Sequence, residues 1–287
     1  GRGGGSGRPG LMHDPISYLE ALILGIIQGL TEFLPISSSA HILIVSTLAG
    51  WGDPGAAFTA VTQLGTETAV LVYFRKDIWR IITTWTRSLY TPALRSSIDA
   101  RMGWYVIIGT IPIGFFGYTF SDQIETAARN LYLVATVLIV FGLVLGAADR
   151  WGRQDKTLDD LTTRTGLIYG FGQALALVPG VSRSGATIST GRILGFDRPS
   201  ATRYAFLLAI PAVVISGLYE ALKIGDDKNV AWGPTILATV VAFFVGYAVI
   251  AWLIRYVSHG SFLPFVMYRI ALGTLVLVLL GTGVIAA

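Results

Sequence analysis

Glu32 lies four residues after Gln28 in the stretch QGLTE, and LPISSSAH follows almost at once, carrying Ser37, Ser38, Ser39 and His41. In a helix this spacing puts Gln28 and Glu32 on one face, so an amide and a carboxylate look out together beside the proline break. A carboxylate among apolar residues is costly to keep, which makes Glu32 a functional candidate. The plainer reading is a glutamate that only hydrogen-bonds the break, but an amide would do that without ionising. The three serines stand where a returning helix would start. One of them caps it, and the run of backbone N–H groups forms an anion cradle helped by the helix dipole. His41 falls in the first turn, either as a neutral base or nucleophile or as a packing residue.

A second set follows in VPGVSRSGAT: Ser182, Arg183, Ser184 and Thr187. An arginine among serines and glycines at a helix start can grip a phosphate through two parallel hydrogen bonds. Snorkelling to water is the competing role for Arg183, and the apolar flanks argue against it. Together the two sets suit a multiply charged phosphate ester carried by something apolar. With no cysteine in the chain, a divalent metal at oxygen ligands would be Mg²⁺ or Ca²⁺, held partly by Glu32 with Gln28 beside it. Weaker candidates are Glu67, which could join a metal or proton network or pair with a buried arginine, and Arg269 as a structural cation. Gln63 and Gln173 read as hydrogen-bonding glue between helices. Asp155, Asp159 and Asp160 read as solvated.

The elements that must hold these residues are membrane helices. The 287 residues are 53% hydrophobic and 13% charged, with 34 glycines, and the mean hydropathy is +0.64. A soluble domain carries about a quarter charged residues. The net charge of +4 is spread between apolar runs and forms no nucleic-acid patch. Residues 1–14 are glycine-rich and polar and read as a disordered tail or an expression-tag remnant. Long runs free of Asp, Glu, Lys and Arg, such as Met102 to Ser121 and Asn229 to Ile254, approach the roughly 20 residues a span needs. Six spans are predicted, at about 56–75, 102–120, 131–149, 201–221, 233–255 and 264–285. Trp79, Trp85, Trp104, Trp151 and Trp232 fall near span ends and suit an interfacial belt.

Residues 16–50 and 166–196 are apolar but broken in the middle. A shift of 145 positions lays Leu30 on Leu175, Ile36 on Val181, Ser37 on Ser182 and Ser39 on Ser184. The fold expected is therefore an all-α polytopic membrane protein: six transmembrane helices plus two re-entrant helical hairpins in an inverted-topology repeat. Repeat 1 covers about 15–149 and repeat 2 about 166–287, in a single integral-membrane domain. Threaded this way, one face receives Arg75, Lys76, Arg80, Arg87, Arg95, Arg101, Arg150, Arg153, Lys156, Arg164, Arg198, Arg203 and Arg255. The other receives Arg129, Lys223 and Lys228, so the first face is cytoplasmic. Gly142, Gly146, Gly246 and Gly273 permit close helix contact, within one chain or between two in a homodimer.

The stretches QGLTEFLPISSSAH and LVPGVSRSGATIS, with FLLAIP and the PF..YR pattern at Pro264 to Arg269, resemble the undecaprenyl-diphosphate phosphatase family, the bacitracin-resistance proteins. The resemblance covers 15–287. It implies hydrolysis of a polyprenyl (C55) diphosphate lipid to the monophosphate used in peptidoglycan synthesis. It also implies a multi-pass protein of the bacterial plasma membrane with its site open to the outer, periplasmic side. By motif, Ser38 and His41 match the family's nucleophile and acid/base pair, in an order left open, and Arg183 its phosphate-binding arginine. The family's first acidic position is Glu or Gln, and here it is Gln28, so Glu32 must carry the charge. A transporter or flippase for a phosphorylated polyprenyl lipid is the alternative, because such carriers also use broken helices in inverted repeats.

Overall fold

Each predicted break is a place where one helix stops and a short one starts. The computed structural model describes residues 16–224 and 229–287; the expected tail at 1–14 and Lys228 lie outside the described residues. Helix α1 (Tyr18–Glu32) ends at the first break, and α2 (Ser38–Ala49) leaves it. Then come α3 (Ala56–Tyr73), α4 (Arg75–Ser88), α5 (Ile98–Thr119), α6 (Ser121–Ala127) and α7 (Leu131–Trp151). The second break separates α8 (Thr163–Ala174) from α9 (Arg183–Ile193), before α10 (Arg198–Ile224), α11 (Trp232–Tyr256) and α12 (Leu263–Gly281). Among the described residues there is no strand, only a bridge between Lys156 and Phe196.

Among the described residues five helices, α5, α7, α10, α11 and α12, are long and apolar enough to cross a membrane. The first predicted span forms α3, whose Gln63, Glu67 and threonines dilute its apolar character. Helix α4 was not expected. Its sequence RKDIWRIITTWTRS is amphipathic, with Ile78 and Ile81 against the core and Lys76, Trp79 and Arg87 exposed. The helices flanking the breaks have 15, 12, 12 and 11 residues. At ~1.5 Å per residue none exceeds ~23 Å, short of the ~30 Å hydrocarbon core.

The two halves exchange partners: α1 packs on α11, and α8 packs on α5. Both contacts rest on a glycine, and the two are 145 residues apart. A Cβ on Gly25 would lie 2.7 Å from the Ala238 carbonyl oxygen, and one on Gly170 2.7 Å from that of Gly109. The glycines expected to allow close packing are used within this chain. Gly142 and Gly146 of α7 face Arg269 and Val266 of α12, Gly273 faces Ala135 and Ile139, and Gly246 faces Phe33. The core gathers Phe33, Phe74, Tyr169, Tyr204, Phe206 and Ile250 around the middle of the bundle.

Ion pairs collect residues expected on one face. Arg80 pairs with Asp77 and Asp99, and Arg203 with Asp77. Asp149 at the end of α7 accepts from the buried Arg192 and from Arg198, and from the Phe262 backbone N–H. The ends of the α8–α9 unit are tied there too: Lys156 N–H donates to the Gly195 carbonyl at 3.1 Å, and Asp197 N–H to that of Lys156 at 2.9 Å. The α1–α2 unit is tied elsewhere. Ile16 and Trp51, just before and after it, share a cluster with Leu24, Phe58 and Ala238 of α11.

Candidate active site

The two breaks have the same local build. Ser37 and Ser182, related by the 145-residue shift, are the two non-glycine residues with positive φ among the described residues, at 69° and 76°. Each is a helix N-cap: Ser37 Oγ accepts from Ala40 N–H at 3.3 Å, and Ser182 Oγ from Gly185 N–H at 3.1 Å. Each also lies 3.2 Å from the serine two residues on, Ser39 and Ser184 respectively. Such a backbone costs about 1–3 kcal/mol and persists only where its surroundings impose it.

Arg269 is what imposes it. This fully buried side chain of α12 donates from Nη1 to the Pro35 carbonyl at 3.1 Å and the Val181 carbonyl at 2.8 Å. Nη2 donates to the Gly180 carbonyl at 2.8 Å, and Nε to that of Leu138 at 3.1 Å. One guanidinium therefore holds buried carbonyls of both breaks. Reaching four carbonyls from three nitrogens uses the planar five-donor fork of arginine, which the single ammonium of a lysine lacks.

The shift of 145 also lays Ser38 on Arg183, the first residues of α2 and α9, and both turn to Glu32. Ser38 Oγ donates to Glu32 Oε2 at 2.8 Å, Gln28 Nε2 to the same oxygen at 2.7 Å, and Arg183 Nη2 to Oε1 at 3.0 Å. The Glu32 side chain is 12% exposed and that of Arg183 29%. Four candidates named from the sequence thus meet in one network, and Ser184 joins Glu32 and Arg183 on the wall of a shared cavity. The same wall includes Thr66 and Glu67 together with the apolar Phe33, Val70, Phe206 and Val213. A lining that mixes charged, hydroxyl and apolar side chains is the chemistry an amphiphilic phosphate ester would meet.

Other candidates are placed differently. His41 is buried and does not bond Ser38 or Glu32. Its Nδ1–H donates to the Ser37 carbonyl at 2.7 Å, which leaves Nε2 to accept from the Tyr268 hydroxyl, also at 2.7 Å. The two rings are stacked. Thr187 is fully buried and donates to the Arg183 carbonyl at 2.8 Å, turned into its own helix. Ser37 and Ser182 are occupied as caps. Gln173, the counterpart of Gln28, is buried and donates to the Gly109 carbonyl at 3.4 Å, as glue between α8 and α5. Reasoning from the sequence missed Tyr268 and the clamp formed by Arg269. Their contacts join positions more than 80 residues apart, which no local pattern announces.

Comparison with known proteins shows the family of the chain. Residues 21–275 match the family described as bacitracin resistance protein BacA. An undecaprenyl-diphosphatase of a Nocardioides species is 60% identical over 273 residues, covering 95% of this chain and all of the relative. One from Thermobifida fusca is 60% identical over 270 residues, 94% of this chain and 92% of the relative. Undecaprenyl-diphosphatase 2 of Streptomyces coelicolor is 55% identical over 283 residues, 94% of this chain and 97% of the relative. The chain, an all-helical multi-pass membrane protein with paired helix breaks meeting at Glu32, belongs to the bacitracin resistance protein BacA family.

Proposed function

We infer that this chain is an undecaprenyl-diphosphatase, which removes the terminal phosphate of the C55 isoprenoid diphosphate and returns the monophosphate carrier lipid to cell-wall synthesis. The observation that carries this reading is the meeting of Ser38, Glu32 and Arg183 where two helices start. It occurs in a chain 55–60% identical to relatives named for that reaction.

In this reading α1–α2 and α8–α9 are re-entrant hairpins of an inverted repeat, at about 15–149 and 166–287, set among six spans of which α3 is the first. Their lengths support it, as do their separate anchor points, one at Trp51 and α11 and the other at Lys156 and Phe196. The end that collects Arg80, Arg192, Arg198 and Arg203 is cytoplasmic by the positive-inside rule. Arg183 lies at the opposite end of α9 from Arg192, so the cavity opens to the outer face of the bacterial plasma membrane.

Arg183 and the positive ends of α2 and α9 hold the terminal phosphoryl group. The Ser38 hydroxyl, already donating to Glu32, attacks phosphorus, and Glu32 takes its proton. The bond to the bridging oxygen breaks, and the lipid monophosphate leaves with that proton. Water then cleaves the phosphoserine and releases inorganic phosphate. His41 is the second candidate nucleophile; its lone pair at Nε2 is turned to Tyr268. Ser184, on the cavity wall, contacts the headgroup in this reading, and Ser39, which lies beside the Ser37 cap, is the hydroxyl proposed to meet it from α2.

The donors fit a divalent cation, Mg²⁺ or Ca²⁺, shared with the substrate. Glu32 uses three of about four lone-pair positions on Arg183, Gln28 and Ser38. Gln28 turns its amide nitrogen to Glu32, which leaves its carbonyl oxygen for an ion. Such an ion supplies neutralisation of the diphosphate charge.

The test is phosphate release by purified protein in detergent, where a membrane has no sides. Arg183→Ala and Glu32→Gln are expected to lower it by at least a hundredfold without changing the thermal midpoint. A lipid carrier would release no phosphate even as the wild type. Near-normal turnover in either variant would overturn the assigned roles.

A further inference from the structure

Three charged side chains line the cavity: Glu32, Arg183 and Glu67. The first two pair with each other. The Glu67 carboxylate takes no hydrogen bond or salt bridge among the described residues. Arg183 and Glu32 line the same cavity. Glu67 is also seated. Its Oε2 occupies the space that a Cβ on Gly217 of α10 would fill, so a glycine gives the carboxylate its place between α3 and α10.

An ionisable group inside a membrane helix bundle, with no partner among the described residues, is a functional position by default. Beyond the paired Glu32 and Arg183, an ionised Glu67 adds a negative charge to the cavity wall. It would repel a diphosphate at close range unless a cation stood between them. Glu32 has one lone-pair position left and Gln28 carries no charge, so neither supplies the second carboxylate that a divalent ion commonly takes from protein beside substrate phosphates.

We propose that Glu67 is a metal ligand, binding the divalent cation that bridges it to the substrate's diphosphate, so that the ion's carboxylates come from two helices, Glu32 of α1 and Glu67 of α3. The identity of the anion rests on the diphosphatase reading; the ion site itself does not.

Mn²⁺ is the probe, titrated into purified protein with an isoprenyl methylenediphosphonate present and followed by electron paramagnetic resonance. Glu67→Gln is expected to weaken Mn²⁺ binding at least tenfold, about 1.4 kcal/mol, with an unchanged thermal midpoint. The Mg²⁺ concentration giving half-maximal phosphate release should rise by a similar factor. Gly217→Ala, which displaces the carboxylate but keeps its charge, should fall between wild type and Glu67→Gln, and Glu67→Asp should recover part of the affinity. Unchanged Mn²⁺ affinity in Glu67→Gln overturns the proposal. So does unchanged affinity with an altered pH profile of kcat, which would make Glu67 a proton donor. Mn²⁺ binding is read without turnover, so a wild type that releases no phosphate would refute the diphosphatase reading and leave the ion test standing.

Discussion

Replacing Arg269 tests whether one side chain holds both halves of the site. Arg269→Met keeps the bulk and removes the donors. The carbonyls of Pro35, Gly180 and Val181 lie outside helices and take their hydrogen bonds from this guanidinium. Each buried carbonyl left without a partner costs about 1–3 kcal/mol, so the loss is about 3–9 kcal/mol. That is a large share of the 5–15 kcal/mol that typically holds a protein folded. Arg269→Met should therefore fail to purify as a single species. Arg269→Lys keeps the charge but offers one compact ammonium in place of a planar fork, and about half of the loss should remain. At roughly 2–4 °C per kcal/mol for a chain of this size, its midpoint in a detergent thermal melt should fall by about 5–15 °C. Because the carbonyls flank Ser38 and Arg183, kcat/KM should fall as well, by at least tenfold. A lysine variant that melts within about 2 °C of wild type and turns over normally would refute the clamp.

Three further predictions concern other parts of the molecule. Asp149→Ala leaves the buried Arg192 and its neighbour Arg198 without their carboxylate and should cost about 3–5 kcal/mol in the same melt; a loss below about 1 kcal/mol would mean that the carbonyls around Arg192 suffice. Tyr268→Phe removes the hydroxyl that donates to His41 and should cost about 1 kcal/mol, and an accompanying fall in kcat would place His41 in the chemistry. Gly170→Ala drives a methyl into the Gly109 carbonyl and should destabilise by about 1–3 kcal/mol. Gly114→Ala on α5, where nothing lies within 4 Å of the new Cβ, should be neutral; equal effects in the two variants would refute the close α5–α8 contact.

What could be read from the chain alone was local in origin. The charge-free runs mark membrane helices because lipid rejects charge. The serines after the prolines mark helix starts because caps need a side-chain oxygen close in sequence, and both Ser37 and Ser182 are caps. Glu32, Ser38 and Arg183 were legible as chemistry because polar residues are conspicuous among apolar ones, and the tertiary structure joins them. Helix α4 was overlooked because an amphipathic helix lying outside the spans has neither a long apolar run nor a break to announce it. Packing alone decided the rest. Whether Ser38 turns to Glu32 or to His41, and whether Arg269 serves Glu67 or the carbonyls of two distant breaks, depends on which helix faces meet in space. A guanidinium buried away from water takes whatever oxygens the neighbouring backbone presents to it. Those oxygens come from residues 88 and 234 positions away in the chain, a distance over which residue spacing carries no geometric information.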